Sequence, residues 1–176
     1  MINYIGNGHY CYANSAAMLL GSIGEHVAPA TIEVITGMSL SSTYNRQEKT
    51  LWFNNQTLLP DLGISKALGI LGFDCKVHVS ESLEDFPLKE LKTDLEDCPA
   101  VLGPVDQFHL IYNPNHTQLK GADHYVLAYK IENNKCYLHD PAGYPHVFLS
   151  PENLKKAWQG EGVIRYAKGH YRYITK

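Results

Sequence analysis

Apolar positions before Gly72 fall mainly into helical segments, and most of the segments after it are strand-like. From Cys11 the run CYANSAAMLLGSI holds helical spacing to about Ile23, and Gly24 stands where a C-terminal cap belongs. Residues 1–10, MINYIGNGHY, have no period and carry two glycines, which predicts an irregular opening loop. A short second helix is predicted after Pro29, stopping at Gly37, and a third from Pro60 to Leu71, stopped by Gly72. Residues 38–59 are polar and weakly patterned apart from the aromatic pair Trp52 and Phe53, and no element is predicted there. Beyond Gly72, FDCKVHV alternates as a strand does, and SLEDFPLKELKTDLED predicts an acidic surface helix with Pro87 early in it. AVLGPV is strand-like, and a polar loop, NPNHTQLKGAD, separates it from HYVLAYK and KCYLHDP, two strands joined by ENN. A brief strand, PHVFL, runs into the helix SPENLKKAW, with Ser150 at the cap and Pro151 at the first helical position. GVIRYA and HYRYIT close the chain as strands. Helices first and antiparallel strands later define an α+β fold, expected as one domain over residues 1–176.

Composition fits that picture and removes several function classes. With 176 residues, 44% of them hydrophobic, the chain can fill a single core. The formal charge is −3 and the lysines and arginines do not cluster, so no electrostatic footprint for nucleic acid or an anionic membrane is present. AAMLLGSIG is too short to span a bilayer and lacks the flanks of a signal peptide. The expectation is a soluble cytoplasmic protein with neither nucleic acid nor membrane as partner. Cysteines stand at 11, 75, 98 and 136 without a C-x-x-C pair, which in a reducing compartment reads as free thiols. Cys75 alternates with Phe73, Val77 and Val79, Cys136 with Leu138, and Cys98 leads into PAVLG, the places of small buried hydrophobes. Cys11 has no such reason.

A cysteine attacks as its thiolate, which a helix N-terminus and a neighbouring imidazolium both favour. Cys11 stands where loop becomes helix, and the N–H groups of that helix start can also hold an oxyanion. The preceding Gly6-Asn7-Gly8 lets backbone approach a ligand closely. The plainer role for Cys11 is packing beneath a helix start. Nine histidines compete to be its base. His124 opens the apolar run HYVLAY on the strand face shared with Val126 and Ala128, where an ionisable ring is costly without partners. His139 alternates to the face opposite Asp140, His9 lies in the opening loop, and His116 sits in a polar loop exposed to solvent. The third group should be a carboxylate or amide that fixes the ring's tautomer. Asp140 ends the next strand, held extended by Pro141, while Asp123 leaves the face opposite His124. A zinc site from His9, Cys11 and His124 shows none of the paired ligand spacings, so no metal or cofactor is expected.

Strand parity makes this triad checkable. Side chains directly opposite in an antiparallel pair share a face, as do those two positions away. A two-residue turn at Asn133-Asn134 pairs Glu132 with Lys135 and sends His124 and Asp140 to opposite faces. A three-residue loop pairs Ile131 with Lys135 and sets Asp140 opposite Val126, with His124 on the diagonal at about 7–8 Å between α-carbons. The expectation is therefore an odd-length loop with Asn133 or Asn134 left-handed, or a bulge that restores parity.

The segment GHYCYANSAAMLLGSIG resembles the nucleophile segment of papain-like enzymes related to the bacteriocin-leader (double-glycine) peptidases. KGADHYVLAYKIENNKCYLHDPAG and LSPENLKKAW resemble their histidine–aspartate hairpin and following helix, and LGPVDQFHLIYNPNHTQLKGADHYV looks closer to amide-forming acyltransferases of the butirosin biosynthesis protein H N-terminal type. The resemblance implies a papain-like fold with Cys11, His124 and Asp140 in the roles above. It also implies an acyltransferase of antibiotic assembly that moves an acyl group from an acyl carrier protein's phosphopantetheine thioester, through acyl-Cys11, to a small amine. The alternative is hydrolysis, a peptidase or amidase of the leader-processing type. Those peptidases carry a glutamine some six residues before the cysteine as oxyanion donor, where this chain has Ile5. Asn7 is the nearest side-chain amide, standing in for it or shaping the loop.

Overall fold

The computed structural model describes residues 2–6, 10–36, 42–47, 50–53, 60–79, 85–160 and 170–174. Helix α1 (Cys11–Ser22) is the centre of the molecule: Tyr12 through Leu20 are all buried, so every side of it is covered. Such a helix cannot carry an amphipathic stripe, and its run of small and apolar residues, Ala13, Ala16, Ala17, Met18, Leu19 and Leu20, suits close neighbours all round. Gly24 follows it with φ +89°, a left-handed conformation that glycine adopts without steric cost. Helices α2 (Pro29–Thr36) and α3 (Pro60–Ile70) pack on each other and on α1.

Between them the structure adds what the pattern did not predict, a two-stranded hairpin of β1 (Ser42–Asn45) and β2 (Thr50–Phe53). Four-residue strands, STYN and TLWF, show too little alternation to be read in advance. Helix α4 is shorter than predicted, spanning Leu88–Asp97 with Pro87 at its N-cap; Asp85 and Phe86 are not helical. The physical reason is that proline disfavours the α conformation in the residue before it, so the helix begins after Pro87 and not through it.

Among the described residues the main sheet has six antiparallel strands, ordered β3 (Cys75–Val79), β8 (His170–Ile174), β4 (Ala100–Asp106), β5 (Asp123–Glu132), β6 (Lys135–Asp140) and β7 (Tyr144–Leu149). The predicted strand GVIRYA lies outside the described residues. All seven residues of β4 and His124 through Ala128 of β5 are buried, so the middle of the sheet is covered on both faces. Helix α1 packs on β4 and β5, α4 on β5, and α5 (Pro151–Trp158) on β4, β6 and β7. Helix α5 starts as predicted, with the Ser150 hydroxyl accepting from the Asn153 N–H at 3.2 Å and Pro151 in its first turn. Its buried Trp158 meets Phe86, tying the chain before α4 to the core.

The polar loop between β4 and β5 is built from two 3-10 turns, at 107–109 and 116–118. Asp106, buried at the end of β4, accepts from the Phe108 N–H at 3.0 Å and from the Gly121 N–H at 3.2 and 3.3 Å. One carboxylate thus closes both ends of the connection. His116 is not solvated as expected: it is half-buried with Nδ1 against the Phe108 carbonyl, because the loop folds back on itself.

Candidate active site

The hairpin of β5 and β6 decides whether His124 and Asp140 can meet. Its turn is the two-residue one, with Asn133 and Asn134 both left-handed at φ +51° and +58°, and Glu132 pairs with Lys135. Left alone, that register would separate the two side chains. A bulge intervenes: Lys130 pairs with Tyr137 but Ala128 with Leu138, so Tyr129 is the extra residue on β5. Beyond it Leu127 faces His139, which carries Asp140 opposite Val126 and onto the face of His124. The parity requirement is met by the bulge and not by the loop.

His124 and Asp140 meet at the buried end of this hairpin, 3% and 1% exposed. Nε2 of His124 donates to Oδ1 of Asp140 at 2.7 Å. A carboxylate only accepts, so the hydrogen sits on Nε2 and leaves Nδ1 to face the Cys11 thiol. Cys11 lies at the first turn of α1, half-buried, and near enough to His124 to act on its charge. Tyr10 at the cap position makes no side-chain hydrogen bond to that first turn. Burial would push the imidazole of His124 toward neutrality, but the Cys11 sulfur and the Asp140 carboxylate outweigh it and raise its pKa to about 10. Asp140 moves the other way. Burial pushes its carboxyl up, and the His124 imidazolium with hydrogen bonds from His124, Ala142 and Tyr112 brings it below the ordinary carboxylate value.

Besides the His124 ring, donors from Ala142, Tyr112 and Tyr4 hold Asp140. The Ala142 N–H donates to Oδ1 at 2.7 Å and the Tyr112 hydroxyl to Oδ2 at 2.9 Å. The Tyr4 hydroxyl donates to the Asp140 carbonyl at 2.8 Å and accepts from the Gly143 N–H at 2.9 Å. Gly143, at φ +111°, makes that turn without strain. Tyr4 and Tyr112 escaped the sequence reading because both stand in aperiodic segments; a tyrosine flanked by Ile111 and Asn113 in a polar loop was the only signal. Asn7 and His9, with Gly8, lie outside the described residues, while Ile5, which replaces the glutamine of the resembling peptidases, is half-buried. Among the described residues no group of three or more His, Cys, Asp or Glu side chains is arranged to hold a metal ion. Nor is any described helix long and apolar enough to cross a membrane.

Fold and site together define a papain-like cysteine architecture, helices first with the cysteine at a helix start and an antiparallel sheet bearing histidine and aspartate. The chain belongs to the peptidase C39 family, whose model matches residues 62–168, a span that holds His124 and Asp140 and begins after Cys11. It is 48% identical over 173 residues to the uncharacterized protein YobF of Bacillus subtilis (strain 168), covering 98% of this chain and 55% of YobF, so it spans about half the length of that curated relative. Among solved structures it resembles a putative C39-like peptidase from Bacillus anthracis, with TM-score 0.63 and 14% identity over 99% of this chain and 95% of that one. The peptidase domain of Streptococcus ComA, a bi-functional ABC transporter of a quorum-sensing pathway, gives TM-score 0.59 and 17% identity over 99% and 98%. A double glycine motif protease from an AMS/PCAT transporter, in complex with its leader peptide, gives 0.56 and 16% over 99% and 91%. At those identities the likeness is one of fold.

Proposed function

We propose that this chain is a cysteine peptidase or amidase in which Cys11 is the nucleophile, His124 the base and Asp140 the group that orients and charges the histidine. The observation that carries the reading is the buried 2.7 Å His124–Asp140 bond placed against a cysteine at a helix start. In the first half-reaction the Cys11 sulfur bonds to a substrate carbonyl carbon and the carbonyl electron pair moves to oxygen. The backbone N–H groups at the start of α1 are preorganised donors for that charge. Collapse breaks the C–N bond as the His124 imidazolium gives its proton to the leaving amine. In the second half water, losing a proton to His124, attacks the thioester and frees the thiolate. Membership of the peptidase family supports water as the acceptor.

Peptides with a double-glycine motif are the first substrates to try, by likeness to the leader-bound protease. Incubation of such peptides with the chain and with Cys11→Ala, read by mass spectrometry, tests the reading: cleavage by the first and not by the second is expected. Equal cleavage by both would remove Cys11 from the chemistry.

The acyltransferase of antibiotic assembly is kept as a second reading, because Ile5 stands where the peptidases carry their oxyanion glutamine. It shares the acyl-Cys11 step and differs only in the acceptor, an amine in place of water. An acyl thioester mimic of a carrier-protein arm, offered with a panel of amines, separates the two: amide product favours transfer, free acid favours hydrolysis.

A further inference from the structure

Both oxygens of Asp140 are committed, and to different parts of the chain. Oδ1 takes the His124 ring and the Ala142 N–H, which belong to the hairpin and the turn that follows it. Oδ2 takes the hydroxyl of Tyr112, which arrives from the connection between β4 and β5, 28 residues away along the chain. A carboxylate turns readily about its last torsion, which is broad and two-fold. One pinned oxygen therefore leaves the plane of the group loose, and a second pins it. With Oδ2 held, the lone pair of Oδ1 stays aimed at Nε2 of His124.

The tyrosine is itself braced. Its ring lies 5.7 Å from that of Tyr144, and the Tyr144 hydroxyl donates to Oδ1 of the buried Asn113 at 3.0 Å. The same Asn113 oxygen accepts from the Asn115 N–H at 2.9 Å, and the Asn113 N–H donates to the Leu110 carbonyl. Burial and the facing carboxylate both keep the Tyr112 phenol protonated, so it remains a donor across the working pH range. Asp106 clamps the connection at both ends, so it presents Tyr112 as part of a folded unit.

We propose that Tyr112 is a positioning residue of the reaction assigned above, on which this inference rests. It acts through Asp140, holding the carboxylate in the plane that keeps the His124 imidazolium charged and aimed at Cys11. Removing the hydroxyl should leave the fold in place and loosen the hold of Asp140 on His124, and so the presentation of His124 to Cys11.

The test uses the full chain, Tyr112→Phe, and Tyr144→Phe as a neighbour whose hydroxyl bonds Asn113 and not the Asp140 carboxylate. Iodoacetamide alkylation of Cys11 is followed against pH, together with the His124 Nε2–H proton resonance. Tyr112→Phe is expected to slow alkylation at pH 6.5 by about tenfold, the scale of a hydrogen bond to a charged group. It should also move the acid limb of the profile to higher pH and shift the Nε2–H resonance upfield. Tyr144→Phe, which loses the bond to Asn113 and keeps the Tyr112 hydroxyl on Asp140, should move all three less than Tyr112→Phe does. In an Asp140→Asn background, Tyr112→Phe should add nothing, because its route is gone. If Tyr112→Phe does not fold, 3-fluorotyrosine at 112 keeps the shape, strengthens the donor, and should shift the resonance downfield. A Tyr112→Phe profile and resonance that superimpose on the wild type overturn the inference, as does a full effect in the Asp140→Asn background. Wild-type alkylation that spares Cys11 in favour of Cys75, while the resonance still answers to Tyr112, would instead place the failure in the assigned reaction.

Discussion

Two histidines on neighbouring strands of one sheet, both almost fully buried, are driven to opposite charge states. His124 on β5 is raised to about 10, and His139 on β6, adjacent to Asp140, is lowered to about 4. Burial acts on both in the same direction, against the imidazolium. What differs is the company. His124 faces a carboxylate and a thiol, whereas His139 stacks on Tyr129 at 4.8 Å between ring centroids and meets His146 at 4.4 Å. Its Nδ1 accepts the His146 backbone N–H at 3.3 Å, a bond only the neutral ring can take. Burial alone makes a structural histidine; burial with a paired acid makes a reactive one.

The largest expected effect separates these two residues outright. His124→Ala should lower turnover by roughly 10³-fold or more, since general-base catalysis is lost along with the thiolate's partner. His139→Phe, which keeps the packing on Tyr129, should stay within a few-fold of the wild type. Comparable losses from both in peptide cleavage would erase the contrast.

Asp140→Asn comes next, costing less turnover than His124→Ala because the amide still orients the ring without supporting its charge. The clearer readout is titration. With the carboxylate gone, His124 should titrate well below about 10, and an unchanged titration would mean Asp140 does not charge the ring. Stability follows the same linkage. The raised pKa of His124 contributes stability that is full below its ordinary 6.5 and lost as pH rises through about 10. Asp140, lowered, contributes above its ordinary 3.8 and loses that contribution as pH falls. Melting temperature should therefore decline on both sides of a neutral plateau, with both limbs flattened in the His124→Ala, Asp140→Ala double variant. Removing Asp140 alone by Ala should destabilise by about 3 kcal/mol at neutral pH, as expected when a buried pair is broken.

Sequence patterning reached much of this arrangement and stopped at identifiable places. Helices α1 and α5 were legible because glycine, serine and proline mark their ends, β5 because of its apolar run, and β6 because Cys136 and Leu138 alternate along it. That His124 and Asp140 must share a face, and that a bulge could supply the parity, followed from counting. Which residue would bulge did not, since Tyr129 differs from its neighbours in no local propensity. The contacts that fix Asp140 come from Tyr4 and Tyr112, both in segments without a period, where residue order carries no information about which distant group they meet. The β1–β2 hairpin was missed for a related reason, its strands being too short to show an alternation.

His139 offers a smaller, acid-side prediction. Its depressed pKa, due to burial and then to His146, means that protonation on acidification favours the unfolded chain. The contribution is present above its ordinary 6.5 and lost as pH falls through about 4, and is worth roughly 3 kcal/mol at most. His139→Phe should flatten the fall in melting temperature across that window and leave the alkaline limb, which belongs to His124, as it was. A flattening on the alkaline side instead would show that the two faces are coupled.

The smallest effect expected is at His146, where charge and backbone can be separated. Strand β7 carries one residue more than β6 here: Leu138 pairs with Val147 and Asp140 with Tyr144, so Pro145 and His146 together oppose His139. Pro145 has no N–H to give, and His146 sits left-handed at φ +53°, turning its own N–H onto the His139 ring. Glycine adopts that conformation freely and retains the N–H, so His146→Gly removes the neighbouring imidazole without removing the hydrogen bond. Relief of the left-handed strain, about 1 kcal/mol, is opposed by lost ring packing on His139 and by the greater freedom of glycine in the unfolded chain, leaving stability nearly unchanged. What should move is the His139 titration, upward by less than about one unit, since the repelling ring is gone and burial remains the main cause. Histidine resonances followed between pH 3 and 8 decide it. A fall in the His139 pKa would mean that His146 shields the ring from solvent more than it repels its charge, and that the low value of His139 rests on burial alone.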